Sequence, residues 1–344
     1  MAGLKQVVLS AAVVLSGGCY SGLGEADRND EMAQMRNVEF NTVKLNTARF
    51  NTVKFNTFRF NSFRFNTVKF NSVKFNTVRF NTVKFNSIDL DGSEFVGVLE
   101  GEDLERRGAD LIGTEIDLTI YALDENNVEV SEEVTMRFDD IYLDDQAPGG
   151  DVWLYDITYK MAGSDSWNPI CETGAPAVPM HNYWDEVTGE RIDDEEAYTL
   201  ACTDAVIGKC VTWGYRPYGD AWNCPKWDSP KKCDLISLQD HHQACTRMAR
   251  ADYCGDGVAW TVPGTAIDIY DHLYPQIETQ ETQNWQLEAE WNPDGAYCLQ
   301  DIRLQSLKQE GKYPKCKKKS KSSPRKDCGS LKNHRALLVS SFAK

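Results

Sequence analysis

Trp213, Tyr215, Tyr218, Trp222 and Trp227 crowd into one short stretch with Gly214, Pro217 and Gly219 between them. Flat rings in a loop of that composition stack on sugars or grip a protein partner. The same rings would equally pack around Cys210 and Cys224 as a small core. A second group, Asp252, Asp256, Asp268 and Asp271, offers the hard oxygen ligands that suit a calcium ion. Its spacing is not that of an EF-hand loop, so a turn-and-cap role competes, and no other cofactor is called for.

The remaining chemistry is sparse. His241 and His242 are adjacent, so on a helix they point about 100° apart and cannot chelate one metal as residues four apart would. His181, His272 and His334 stand alone in the sequence. There is no nucleophile elbow, phosphate loop or dinucleotide fingerprint. What remains on the enzyme side is a secreted hydrolase using paired Asp or Glu side chains in the second half, and a binding role has more residues behind it.

Cysteine usage sets the compartment. Of 11 cysteines, setting Cys19 aside leaves an even number: Cys171, Cys202, Cys210, Cys224, Cys233, Cys245, Cys254, Cys298, Cys316 and Cys328. Five disulfides formed outside the cytoplasm is the economical reading, with the pairing not legible. No two of these cysteines have the short spacing of a zinc ribbon or finger. A cysteine nucleophile would need a reduced thiol, and the even count spares none.

The N-terminus agrees with export. Met1–Lys5 is a short basic start, Val7–Leu15 is apolar except for Ser10, and Ser16-Gly17-Gly18 are small residues before Cys19. So short a run does not span a bilayer and reads as a signal. Cys19 after Gly18 resembles the lipobox of bacterial lipoproteins. That resemblance implies lipidation of Cys19 and a membrane anchor, with ordinary secretion after Gly18 as the alternative. Tyr20–Arg36 is mostly polar and reads as a tether.

The elements that must carry these residues begin with a repeat. From Phe40 to Phe95 a Phe or Leu recurs every fifth residue, followed through Phe85 by Asn and then Thr or Ser. An odd period puts successive Phe on opposite faces of a flat strand and smears them around a helix. A coil that bends once per repeat keeps them all inside. The pattern resembles the pentapeptide-repeat family, which implies a right-handed square β-solenoid of about three coils. Lys or Arg precedes the central residue in most repeats, a basic row that excludes DNA mimicry, since mimicry needs an acidic surface.

After the repeats, Ile116–Tyr121, Val128–Phe138 and Val152–Tyr159 alternate apolar with polar residues between turn formers, and predict antiparallel strands with one buried face. This module should cap the end of the coil, which otherwise exposes Phe85, Leu90 and Phe95. Asp234–Arg250 lacks Gly and Pro and predicts a helix with Leu235, Leu238, His242, Cys245 and Ala249 on one face, ended by Gly255 and Gly257. Cys245 and Cys254 would pin that helix to neighbouring strands.

Cys245–Gly257, with Ala251-Asp252-Tyr253-Cys254 at its centre, followed by Pro263–Asp268, is similar to the bacterial ADYC domain. Ala201–Pro217 looks like part of the same domain, and the likeness covers about Cys171–Leu304. It implies a domain and no particular activity.

The net charge is −15 and is segregated. Lys308–Lys344 carries a local balance of +10, so the rest sums to −25. The tail, with Lys315, Lys317, Lys318, Lys319, Lys321, Arg325 and Lys326, suits a solvated tail, an anionic surface, or a fold back onto the acidic half. Arg335–Lys344 holds enough apolar residues to dock a last strand or short helix. Nothing implies nucleic acid.

The sequence therefore reads as a mainly β protein, a short right-handed pentapeptide-repeat β-solenoid followed by a disulfide-rich α+β domain. The segments are signal and lipobox (1–19), tether (20–36), solenoid (37–96), β-rich connector (97–169), Cys-rich domain (170–307) and basic tail (308–344). The role expected is structural or interactive, at a cell envelope, toward a protein partner or polysaccharide.

Overall fold

Strands arise where side chains alternate. Ile116, Val134, Met136, Phe138, Ile157 and Tyr159 are buried while their neighbours are not, the period-two signature of a sheet with one covered face. The computed structural model describes residues 47–48, 75–80, 83–99, 104–123, 129–171, 173–185, 188–194, 198–224, 233–262, 264–274, 285–316, 324, 328–329 and 335–343. All of them fall in one compact unit, Arg36–Lys344. The expected signal, Cys19, the tether, Trp227, His334, most of the repeats and the tail's Lys317, Lys318, Lys319, Lys321, Arg325 and Lys326 lie outside the described residues.

The strands of the main sheet are β1 (Thr47–Ala48), β2 (Phe75–Phe80), β3 (Val83–Asp91), β4 (Glu94–Leu99), β5 (Glu105–Arg107), β6 (Thr114–Leu123), β7 (Glu129–Leu143), β8 (Trp153–Met161), β9 (Asn168–Pro169), β10 (Ala177–His181) and, after the small pair β11 (Tyr183–Trp184) and β12 (Arg191–Ile192), β13 (Tyr198–Cys202). Their order is β1-β13-β10-β8-β7-β6-β2-β3-β4-β5, with β9 beside β8. Pairing is antiparallel in every one of these ladders. The three strands expected of the connector are present as β6, β7 and β8. The boundary expected at 169/170 is not a break, because β10 and β13 continue the same sheet.

The described repeat residues correct the coil expectation for their part of the chain. β2, β3 and β4 are antiparallel members of the sheet. The physical reason is a β-bulge. Phe75 pairs with Leu118 and Thr77 with Asp117, leaving Asn76 extra; Phe85 pairs with Leu99 and Ser87 with Val98, leaving Asn86 extra. One bulged Asn per repeat makes an interval of five on one strand match an interval of four on its partner. Phe75 and Phe80 therefore sit opposite Leu118 and Thr114, and Phe85 and Leu90 opposite Leu99 and Phe95. The odd period thus fits a sheet without bending the chain. Gly92, at φ 65°, starts the two-residue turn between Asp91 and Glu94, a position that favours glycine.

Leu90 and Phe95 are buried as the capping argument required, within the sheet itself and not under a separate cap. Phe95 stacks on Phe138 and meets Tyr155 edge-on, both at 5.4 Å between ring centres, and its N–H donates to the Tyr155 hydroxyl at 2.8 Å. β10 and β13 are covered on both faces: Ala177 and Leu200 face that aromatic cluster, while Val178, Met180 and Ala201 face a second cluster built on two helices. Near-continuous burial is the consequence.

Those helices are α1 (Val206–Thr212) and α2 (Gln239–Arg250). Between them, β14 (Asp220–Asn223) and β15 (Asp234–Ser237) form a hairpin, which β17 (Leu273–Tyr274) joins as a third strand. A four-stranded sheet, β16 (Ile267–Asp271), β20 (Leu338–Phe342), β18 (Gln286–Asn292) and β19 (Gly295–Leu299) in that order, packs beneath α2, and a short helix α3 (Gln305–Gln309) follows β19 in the chain. The docked terminal strand expected of Arg335–Lys344 is β20, fully buried between two partners. The helix expected over Asp234–Arg250 starts only at Gln239, because Cys233 is bonded to Cys224 and draws Asp234–Ser237 into the hairpin. Leu235 leaves the helix face and is exposed.

Candidate functional site

The recognisable motif closes α2. Ala251 takes a left-handed conformation, φ 52°, with its N–H on Met248 O and the Asp252 N–H on Arg247 O, both at 2.9 Å. This is the two-bond helix stop usually made with glycine. The stop expected at Gly255 and Gly257 thus falls earlier, at Ala251. Asp252 then accepts from Arg247 at 2.7 Å, from Gly257 N at 3.0 Å and from Asp256 N at 3.1 Å. Gly255 follows because a Cβ there would lie 2.0 Å from Asp294 O.

Tyr253 joins the second layer. Its ring stacks on Trp291 at 5.3 Å and its hydroxyl donates to Glu288 at 2.7 Å. Arg303 grips the same carboxylate with two bonds, 3.0 and 2.7 Å, and donates also to the α2 carbonyls of Met248 and Ala249, at 2.9 and 3.3 Å, and to the Thr261 hydroxyl at 3.4 Å. Ser340 from β20 donates to Glu288 at 2.8 Å and accepts from the Trp291 indole at 2.8 Å. Burial and the Glu288 charge hold the Tyr253 phenol well above its ordinary pKa, so it stays a donor. A cation placed on orphan helix carbonyls and paired to a buried carboxylate satisfies both. Every position of Ala251–Cys254 is occupied structurally, Cys254 by its bond to Cys316.

All ten described cysteines are bridged: Cys171–Cys202, Cys210–Cys245, Cys224–Cys233, Cys254–Cys316 and Cys298–Cys328. Such a set forms in an oxidising compartment, which indicates an extracytoplasmic environment. Cys245 ties α2 to α1 and not to a strand, and Cys254 ties the motif to the start of the tail; both partners differ from those expected. Among the described residues no helix is long and apolar enough to cross a membrane.

The aromatic group does not stay together. Tyr215 is fully buried and donates to Asp271 at 2.9 Å. Trp213 and Tyr218 are half-buried against the helical core. Trp222 alone of the four described is exposed, at 48 %. It sits at the centre of the three-stranded sheet, directly opposite Leu235 on one side and Tyr274 on the other, and these are 58 % and 57 % exposed. Directly opposed residues share a face, so the three form one apolar row. Ala221, Ile236 and Leu273 turn to the core instead. Sequence reading missed Leu235 and Tyr274 because strand pairing alone brings them beside Trp222.

A cleft of about 470 Å³ lies elsewhere, lined by Asp89, Leu90, Met180, His181, Asn182, Pro217 and Tyr218. Asp89 accepts from Leu90 N at 2.8 Å and from the Tyr198 hydroxyl at 3.1 Å. The His181 and Tyr198 rings meet at 5.2 Å. Asn182 has φ 72°, held by Asp194 N donating to its side chain and Thr199 donating to its carbonyl, both at 2.7 Å.

The four Asp residues weighed for calcium are not gathered. Asp252 is paired to Arg247 and Asp271 to Tyr215. Among the described residues no group of three or more His, Cys, Asp or Glu is placed to hold a metal. His241 and His242 are core residues; burial first, then His272 beside His241 and Arg191 beside His242, lower their pKa to about 4 and about 3.

The model of the ADYC domain matches residues 108–305, more than half of the chain. The match begins well before the span expected from the sequence and takes in β6, β7 and β8. β2, β3, β4 and β20 fall outside it, yet they complete its sheets. No curated protein and no solved structure matches this chain.

Proposed function

The chain belongs to the ADYC domain family, and on that premise we propose that it is an exported cell-envelope protein, anchored by lipid at Cys19, whose disulfide-stapled domain binds surface polysaccharide. Export is supported by the five disulfides together with the basic and apolar start before Cys19. For the repeats outside the described residues, a short pentapeptide coil holding the domain away from the membrane stays part of the proposal, supported by the likeness of their residue pattern to the pentapeptide-repeat family.

The observation that carries binding is the row Leu235, Trp222 and Tyr274. Adjacent strands lie about 4.8 Å apart, so the Trp and Tyr rings offer neighbouring flat surfaces of the kind that pack on pyranose rings. Large exposed apolar groups side by side on one sheet face mark an interaction surface. The rival, a hydrolase with two carboxylates, has less support because Asp89 is the one carboxylate among the described residues that line the cleft.

Co-sedimentation of the full mature chain with insoluble envelope polysaccharides tests the reading. Retention should fall at least tenfold in Trp222→Ala with the melting temperature unchanged. Equal retention of both forms, or retention by a protein partner only, would refute it. Metabolic labelling with a palmitate analogue, lost in Cys19→Ser, tests the anchor.

A further inference from the structure

We propose that the cleft between β3, β10 and the Pro217–Tyr218 turn is a second site, which binds a single uncharged sugar unit. It rests on the polysaccharide reading only for the class of polymer supplying that unit, and shares no residue with the Trp222 row.

The chemistry of the lining selects the ligand. None of the described lining residues is Arg or Lys, and Asp89 is exposed there, so phosphate, sulfate and uronic acids are repelled. Asp89 uses Oδ1 for Leu90 N and Tyr198, which fixes the carboxylate and leaves Oδ2 to accept from a ligand hydroxyl. Tyr218 and Pro217 supply flat apolar surface beside these polar groups. The Tyr218 ring is set by Gly92, where an added Cβ would meet it at 3.2 Å. A mixture of ring surface and fixed acceptors matches a pyranose, which has an apolar face and an equatorial belt of hydroxyls.

The site is built and not incidental. Among the described residues two non-glycines have positive φ; Ala251 is explained by the helix stop, and the other, Asn182, lines this cleft. Backbone held in a sparse region by dedicated bonds, here those from Asp194 and Thr199, collects at functional sites. The volume of about 470 Å³ falls within the range of about 300–1,000 Å³ for small-ligand sites.

Isothermal titration of the full mature chain would use hexamers of glucose, galactose and N-acetylglucosamine, with oligogalacturonate and spermidine as the anionic and cationic probes. The result expected is binding of at least one neutral hexamer, weakened at least tenfold by Asp89→Asn and by His181→Ala. Tyr218→Phe, which keeps the ring, should stay within threefold, whereas Tyr218→Ala should lose binding. No neutral hexamer binding, equal binding of a charged probe, or full affinity in Asp89→Asn would each overturn the proposal. Polymer retention that persists while hexamers fail overturns this cleft and leaves the Trp222 row standing; hexamer binding without any effect of Trp222→Ala on polymer retention does the reverse.

Discussion

Tyr253 and Glu288, far apart in sequence, meet through a 2.7 Å hydrogen bond in a fully buried layer. The same carboxylate is the counter-ion of Arg303, whose guanidinium closes the end of α2. Glu288→Gln leaves that guanidinium buried without its partner and should cost about 3–5 kcal/mol. Tyr253→Phe removes the donor to Glu288 and the acceptor of the Arg303 N–H, and should cost about 1–3 kcal/mol. Urea unfolding of the two variants checks the ranking; a Glu288→Gln midpoint equal to the parent would discard the clamp.

Ala251 carries a left-handed backbone with its Cβ in place. Ala251→Gly relieves that conformation and gives up little buried surface, so its stability should lie within about 1 kcal/mol of the parent. Ala251→Val puts a β-branched side chain at the same φ, in a fully buried position, and should cost more than about 2 kcal/mol. Thermal melts of the pair decide whether the helix stop is where the strain sits.

Acid should loosen the domain through its buried histidines. His241 and His242 have folded pKa values of about 4 and about 3 against 6.5 unfolded. The unfolded chain takes up these protons first, so their contribution is complete above pH 6.5 and is lost as pH falls toward 4 and then 3. The slope is at most about 1.4 kcal/mol per pH unit for each histidine. Urea midpoints between pH 7.5 and 4.5 should fall in the parent and less steeply in His242→Gln, which can still donate to Ile207 O. Parallel slopes would assign the acid loss to other groups.

The Cys210–Cys245 bridge joins α1 to α2 across a sequence separation of 35. Replacing both cysteines with Ala should lower stability by about 2–4 kcal/mol. Peptide mapping of unreduced protein should recover this pair and the other four; any peptide joining Cys245 to Cys254 would contradict the arrangement.

Local pattern and composition were enough for part of this. Alternation in Ile116–Tyr121, Val128–Phe138 and Val152–Tyr159 marked three strands, since a strand's period is written in its own residues. The even set of late cysteines marked bridging, and Ala251–Cys254 marked the domain. Helix content was partly legible: Leu238, His242 and Cys245 do share a buried face, but Asp234–Ser237 was lost to a hairpin that a distant bridge closes.

What only the tertiary structure decided is which distant residues meet. A period of five excludes a flat regular strand, yet it does not distinguish a bending coil from a strand with one bulged Asn per repeat; the partner strands of Asn76 and Asn86 settle that for their segments. Pairing of the cysteines, the placing of Leu235 and Tyr274 beside Trp222, and the meeting of Asp89, Asn182 and Tyr218 in one cleft depend in the same way on strand order. Sequence spacing fixes what a segment can present to its own neighbours in the chain, whereas contact across a sheet is set by topology and register, which no single segment contains.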